Sequence, residues 1–381
     1  MTEPLNGFRY LELAQKRNAS GKATSSDLAS YLEARAREAG VPLSGTFELT
    51  PLCNFDCRMC YVHLMKDQLG SASVLAVDQW KDLMSQACRA GMLTGTLTGG
   101  ECLAYPGFEE LFLHLQDMGC HVNVLTNGSL LDERKLRFFR EHKPGSVQIT
   151  LYGSNDDVYE RVTGQRAFTT VANGIRELRE AGIMVTATVT PNRYLGEDAL
   201  ETLKAAYDLA GHVKVNTCLI NPREETGRTV DGDEADLDLY IRLFLLKAEL
   251  EGKPPADVFS GELPEAGNPC PGCAERGMMC SGGRTAFTIN WKGIMTFCNV
   301  LDRVQYNALE DGVESAWKKL NQAAREWPNA PECQGCPYES VCPTCSAIEV
   351  QFAEPGKKPS ILCERTKALV RHGIWEAPVC E

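Results

Sequence analysis

The first strand-like run of this 381-residue chain, Gly45-Thr46-Phe47-Glu48-Leu49-Thr50, passes directly into the loop Pro51-Leu52-Cys53-Asn54-Phe55-Asp56-Cys57-Arg58-Met59-Cys60-Tyr61. Three cysteines spaced C-x3-C-x2-C can ligate three irons of a cubane 4Fe–4S cluster, leaving the fourth iron without a protein ligand. That iron is where chemistry would occur. A structural zinc site is the competing reading, and it needs a fourth ligand that His63 would have to supply immediately after the other three.

Outward from this loop the pattern is short strand-like runs alternating with amphipathic helices. The strands fall at Gly45–Thr50, Met92–Thr98, His121–Asn127, Ser146–Tyr152, Ile183–Thr190 and Val213–Ile220. Apolar spacing places helices over Val77–Ala90, Phe108–Met118, Asp132–Glu141, Thr170–Ala181 and Glu197–Ala210, most of them closed or flanked by glycine. Repeated β–α units imply a parallel sheet with right-handed crossovers. Six such units predict an α/β fold, a partial (β/α)6 barrel of TIM type, with ligands at the C-terminal ends of the strands. Residues 1–44 read as a cap of two short helices, the second over Ser26–Gly40. The passage Asn221 to Asp238 is rich in charge, Pro and Gly; its acidic part, Asp231–Asp238, is most simply a solvated linker with capping residues for a helix over Leu239–Glu251.

Composition narrows the function classes. A net charge of −12 argues against a protein that tracks nucleic-acid phosphates. No stretch approaches the roughly 18 uninterrupted apolar residues of a membrane span, and Met1 to Gly21 has no signal-peptide core. These features predict a cytoplasmic protein with neither nucleic-acid nor membrane partners. Seventeen cysteines cannot be a disulfide framework in a reducing compartment, which leaves metal binding as their main use.

Thr98-Gly99-Gly100-Glu101 closes the second strand, Leu125-Thr126-Asn127-Gly128 the third, and Gln148-Ile149-Thr150-Leu151-Tyr152-Gly153 the fourth. Together with the cysteine loop these resemble the radical S-adenosylmethionine (SAM) superfamily. The resemblance implies that Cys53, Cys57 and Cys60 hold a cluster whose reduced form cleaves SAM to methionine and a 5′-deoxyadenosyl radical. It implies further that Gly99, Gly100 and Glu101 receive the SAM ammonium, glycine for close backbone approach and the carboxylate as acceptor. Asn127 and Thr150 are polar contacts, Met59 and Tyr61 lie against adenine and cluster, and Arg161 or Arg166 pairs with the SAM carboxylate. Cys102, where the family often has proline, stands beside this site.

A second constellation follows: Cys270, Cys273, Cys280 and Cys298, then Cys333-x2-Cys336-x5-Cys342-x2-Cys345, and Cys363. Between Cys280 and Cys298, Phe287–Phe297 reads as a hairpin with its turn at Lys292-Gly293. The set resembles the SPASM domain, a C-terminal cysteine-rich extension of radical SAM enzymes that carries two auxiliary 4Fe–4S clusters, making three in all. The resemblance assigns Cys280, Cys298, Cys345 and either Cys273 or Cys270 to one cluster, and Cys333, Cys336, Cys342 and Cys363 to the other. The family has three residues where Cys342 and Cys345 enclose two, so another pairing stays open, as does a zinc ribbon.

The expected organisation is a helical cap over 1–44, the barrel over 45–225, linker and helix over 226–268, the SPASM domain over 269–365 and a tail over 366–381. The resemblance implies an oxidoreductase or maturase acting on a ribosomally made peptide or protein, with SAM as partner and flavodoxin or ferredoxin as reductant. A small-molecule dehydrogenase or tailoring enzyme is the alternative, and a non-enzymatic electron carrier a third. No catalytic base is singled out. Sulfatase-maturing relatives carry aspartate where this chain has Asn299, and the N-terminal 44 residues are short for the winged-helix module of many peptide maturases.

Overall fold

The computed structural model describes residues 25–69, 73–216, 219–229, 235–255, 258, 277–278, 280–328, 330–333, 336–338, 342, 345–352, 355–357 and 360–375. Cys218, Cys270, Cys273, Cys380 and the first N-terminal helix lie outside them.

In chain order the elements are α1 (Ser25–Ala39), β1 (Ser44–Glu48), α2 (Val77–Arg89), β2 (Thr94–Thr98), α3 (Phe108–Asp117), β3 (His121–Thr126), α4 (Glu133–Glu141), β4 (Ser146–Thr150), α5 (Asp156–Thr163), α6 (Phe168–Glu180), β5 (Val185–Val189), α7 (Asp198–Ala210), β6 (Val213–Val215), α8 (Leu237–Glu251), β7 (Ala286–Ile289), β8 (Ile294–Thr296), β9 (Tyr306–Asn307), α9 (Ala308–Asp311), α10 (Val313–Arg325), α11 (Ser346–Phe352) and α12 (Ser360–Arg371).

Strands β1 to β6 lie side by side in sequence order, each parallel to the next, as six β–α units require. Local chemistry explains the helices between them. In α2, Gln79 accepts from the backbone N–H of Ala76 at 2.9 Å, and the buried Trp80, Leu83, Met84 and Ala87 recur at helical spacing. The side chain of Asn155 caps α5, a helix the sequence pattern did not single out, and Gly164 in the left-handed conformation ends it.

The sheet does not stop at β1. Its other edge pairs in parallel with β7, which continues antiparallel through β8 to β9, giving nine strands in the order β6-β5-β4-β3-β2-β1-β7-β8-β9. The hairpin expected to serve a separate metal-built unit is therefore an extension of the barrel sheet. Aromatic packing explains the join: Trp80 of α2 meets Phe47 of β1 edge-on at 6.0 Å, Phe47 meets Phe287 of β7 at 6.1 Å, and Phe287 meets Trp317 of α10 at 6.0 Å. Each such pair contributes about 0.5–1.5 kcal/mol beyond area burial. Helix α1 seals this end, accepting at the Gly40 carbonyl from Trp317 Nε1 (2.7 Å) and donating from Arg37 to the Cys280 carbonyl (2.7 Å). No helix among the described residues is long and apolar enough to cross a membrane.

Candidate active site

The cysteine loop leaves the C-terminal end of β1 and is fixed mainly by backbone. Gly100 N–H donates to the Thr50 carbonyl at 2.6 Å and Glu101 N–H to the Leu52 carbonyl at 2.9 Å, so the loops after β1 and β2 are zipped together. A Cβ on Gly99 would stand 2.4 Å from the Thr50 carbonyl oxygen, and one on Gly100 2.4 Å from that of Leu52; Gly99 also has φ +152°. No other residue fits at either position. On the far side, Asp56 and Arg58 donate backbone N–H groups to the carbonyls of Thr163 and Val162 (3.1 and 3.3 Å) at the end of α5. Phe55 packs edge-on against Tyr152 and Tyr159, 6.3 Å from each.

Donors already face the sulfurs. Phe55 N–H (3.4 Å) and Asn127 Nδ2 (3.6 Å) point at Cys53 Sγ, and His63 N–H at Cys60 Sγ (3.3 Å). Burial pushes the Cys53 thiol up to about 12 and raises those of Cys57 and Cys60 as well. Buried thiols under N–H groups suit a bound cation, which would supply the charge that burial denies a bare thiolate. Among the described residues no three Cys, His, Asp or Glu side chains converge on one metal ion. A cubane asks for no such convergence, because each thiolate takes a different iron.

Glu101 is wholly buried. Its Oε1 accepts from Leu103 N–H (2.9 Å) and the Thr126 hydroxyl (2.7 Å), and its Oε2 from Asn127 N–H (2.7 Å). Burial raises its pKa, while these three donors work against the shift. The Cys102 thiol also lies 3.9 Å from Oε1; each carboxylate oxygen has two acceptor sites, so Oε2, with one donor, keeps one for a further donor. Asn127 reaches the other way, from Nδ2 to Asn54 Oδ1 at 2.9 Å, and so ties β3 to the cysteine loop.

The remaining sequence candidates are placed unevenly. Met59 is core. Thr150 ends β4, where its carbonyl accepts from the Tyr159 hydroxyl at 3.4 Å. Cys102 is fully buried, its thiol on the Leu125 carbonyl at 3.2 Å. Neither arginine joins the cysteine–glutamate group: Arg161 is held by Asp198 and the Tyr194 carbonyl, and Arg166 by Asp157 and Glu160.

Tyr61 turns toward the hairpin, where its hydroxyl meets Asn299 Nδ2, directly after Cys298. Burial, with Glu48 next in influence, raises its phenol. Beside it Arg223 forms a two-pronged pair with the buried Glu48 (2.8 and 3.0 Å) and donates to the Asn299 carbonyl at 2.7 Å. The sequence reading missed Glu48, Arg223 and Tyr152. The first lies within a strand, the second within a charged passage read as ordinary, and the third was quoted without a role.

Burial raises the thiols of Cys280, Cys298 and Cys342; beyond burial, Cys298 is raised by its neighbours Cys345 and Cys280, and Cys342 by Cys363, Cys333 and Cys336. Cys342 also accepts from the Thr366 hydroxyl at 3.6 Å. Cys88 and Cys120 stand apart from these cysteines, their sulfurs 3.1 Å from each other.

An α/β sheet whose cysteine loop and Gly-Gly-Glu loop meet at neighbouring strand ends defines a class. Residues 47–210 match the Radical SAM superfamily. The sporulation killing factor maturation protein SkfB of Bacillus subtilis is 25% identical over 278 residues, 72% of this chain and 64% of that protein. The antilisterial bacteriocin subtilosin biosynthesis protein AlbA of the same species is 32% identical over 152 residues, 39% of this chain and 33% of AlbA. The matched region thus spans less than two thirds of either relative. Among solved structures, Streptococcus suis SuiB bound to S-adenosylmethionine shares the fold with a TM-score of 0.65 at 16% identity, covering 94% of this chain and 88% of SuiB.

Proposed function

We propose that this protein is a radical SAM enzyme with three 4Fe–4S clusters that modifies a ribosomally made peptide or protein. The observation that carries the reading is the cysteine loop held against Gly99, Gly100 and Glu101 at adjacent strand ends. When bound there, cluster and SAM together supply one-electron cleavage of SAM and a carbon radical that takes hydrogen from the substrate. Cys53, Cys57 and Cys60 hold the cluster, and the free acceptor site of Glu101 receives the SAM ammonium. Asn127 fixes the loop rather than the ligand, and Thr150 supplies a polar group on the neighbouring strand end. Arg161 would have to leave Asp198 to reach SAM and is left out of the set.

Cys280, Cys298 and Cys345 with Cys273 or Cys270, and Cys333, Cys336, Cys342 with Cys363, are the proposed auxiliary ligands. The neighbourhoods of Cys298 (Cys280, Cys345) and of Cys342 (Cys333, Cys336, Cys363) support that division. The names of SkfB and AlbA concern maturation of a killing factor and biosynthesis of a bacteriocin, and SuiB has been solved bound to its precursor peptide SuiA. These relatives favour a peptide over a small molecule. A flavodoxin or ferredoxin would supply the electron, and the cysteine content fits residence in a reducing cytoplasm.

Iron analysis tests the reading. Anaerobically reconstituted protein should hold about twelve iron atoms, three cubanes of four. Replacing Cys53, Cys57 and Cys60 together by Ala should remove one third of them. A parent that saturates near four irons overturns the auxiliary clusters.

A further inference from the structure

The passage after β6, read from sequence as charged and unremarkable, grips the cysteine loop. Arg223 N–H donates to the Tyr61 carbonyl at 3.0 Å, and Gln68 Nε2 to the Thr226 carbonyl at 2.9 Å. Two residues further on, Arg228 reaches the middle of the loop from 171 residues away. Its Nη1 donates to the Cys57 carbonyl at 2.9 Å, while its Nη2 pairs with Asp56. The Arg228 side chain is 23% exposed and that of Asp56 59% exposed, so the pair straddles the loop edge. His63 Nδ1 stands 3.5 Å from the same Asp56 oxygen.

Asp56 immediately precedes a cysteine of the loop, where a lone carboxylate would repel an anionic cluster. The guanidinium answers both needs at once, with one prong on the carbonyl and one on the carboxylate, a division a single ammonium cannot reproduce. We infer that Arg228, bonded to the Cys57 carbonyl and paired with Asp56, is a positioning residue that fixes the cysteine loop and sets the charge beside the cluster it would hold. This rests on the proposed cluster at Cys53, Cys57 and Cys60.

Opposite charges give opposite signs. Reduction adds a negative charge to the cluster, which a nearby cation favours and a nearby anion opposes. Arg228→Gln should therefore make the midpoint potential of the barrel cluster more negative, and Asp56→Asn should make it less negative. Arg228→Lys keeps the charge with one prong and should stay near the parent potential. Arg228→Gln should also release iron to a chelator about tenfold faster, as expected for the loss of a charge-assisted bond.

The experiment is an anaerobic redox titration followed by electron paramagnetic resonance on the reconstituted full chain and these three variants. The Cys53→Ala/Cys57→Ala/Cys60→Ala variant defines which signal belongs to the barrel cluster, and circular dichroism confirms the folds. Opposite shifts for Arg228→Gln and Asp56→Asn support the inference. So does loss of the barrel signal from a folded Arg228→Gln variant when Arg228→Lys retains it. Shifts in the same direction, or none in either variant, overturn it. A parent whose signals all survive in the triple cysteine variant would instead overturn the cluster assignment, which separates the two failures.

Discussion

The loop Pro51–Tyr61 and the passage from Cys333 to Cys363 both gather cysteines, but the chain supports them differently. The first is zipped to the Gly-Gly-Glu loop, hung from α5 and packed on Tyr152 and Tyr159. In the second, the described backbone–backbone bonds are short-range, Cys336 N–H to the Cys333 carbonyl (3.2 Å), Cys342 N–H to that of Tyr338 (2.8 Å) and Glu349 N–H to that of Cys345 (2.9 Å), and the longer ties run through side chains, Asn221 N–H to Gln351 Oε1 (2.7 Å) and Arg303 to the Val350 carbonyl (3.2 Å). Its separate apolar cluster has two buried members, Ile348 and Leu362, while Ala347 packs into the main core. The barrel loop is tied by backbone to neighbouring elements on both sides, so bound metal is expected to contribute a larger share of the order in the C-terminal passage than in the barrel loop.

The largest effect that could break this contrast concerns division of labour. Cys342→Ala with Cys363→Ala should leave deoxyadenosine release intact but abolish most product, because radical generation needs only the barrel cluster. Full turnover in that variant, by mass spectrometry of the substrate, would make the C-terminal cluster structural or reassign its ligands.

Iron removal sharpens the same point. After chelation, amide exchange should accelerate throughout α11 and α12 while β1, β2 and β3 stay protected, since their ladders and core do not involve metal. Uniform loss of protection would show that both regions depend on iron alike.

Within the barrel site, Glu101→Gln should weaken SAM binding by about ten- to a hundredfold, the worth of one charge-assisted hydrogen bond. Iron content should hold. The amide also turns an N–H toward donors that now face a carboxylate, so the melting temperature should fall too. Calorimetry with an unchanged dissociation constant would remove Glu101 from the SAM site.

Gly100→Ala is the smallest change. A Cβ only 2.4 Å from the Leu52 carbonyl oxygen must push the two loops apart. Overpacking of this kind costs about 1–3 kcal/mol. Denaturant titration should show that loss, together with slower cluster uptake; a variant as stable as the parent would mean the loop is less rigid than its hydrogen bonds imply.

Much of this was legible in the sequence, because the signals were local. Five of the six barrel strands and the main helices lie within a few residues of their expected bounds, since alternating apolar periods and glycine stops act over short range; the sixth strand, expected to run to Ile220, ends at Val215. The three-cysteine loop and the Gly-Gly-Glu turn announce themselves by spacing, and Asp236 caps α8 as a charged linker residue should. What stayed hidden depends on distance along the chain. The pairing of β7 with β1 joins strands some 240 residues apart, as in Ser44 with Ala286, and nothing in either sequence marks the partner. Arg223 and Arg228 look like any solvated cations until the fold brings them to Glu48, Asp56 and Cys57. Arg161 and Arg166 follow the fourth strand closely in sequence, and in the fold acidic neighbours on the helices, Asp198 and Asp157, pair with them.

The most direct measurement of the central claim is deoxyadenosine itself. Reconstituted protein incubated anaerobically with SAM and dithionite should release deoxyadenosine continuously, quantified by liquid chromatography. The Cys53→Ala/Cys57→Ala/Cys60→Ala variant, still folded through its backbone-fixed loop and still holding its C-terminal iron, should release none above a protein-free control. Equal release from both proteins, or none from an iron-replete parent, would contradict the account.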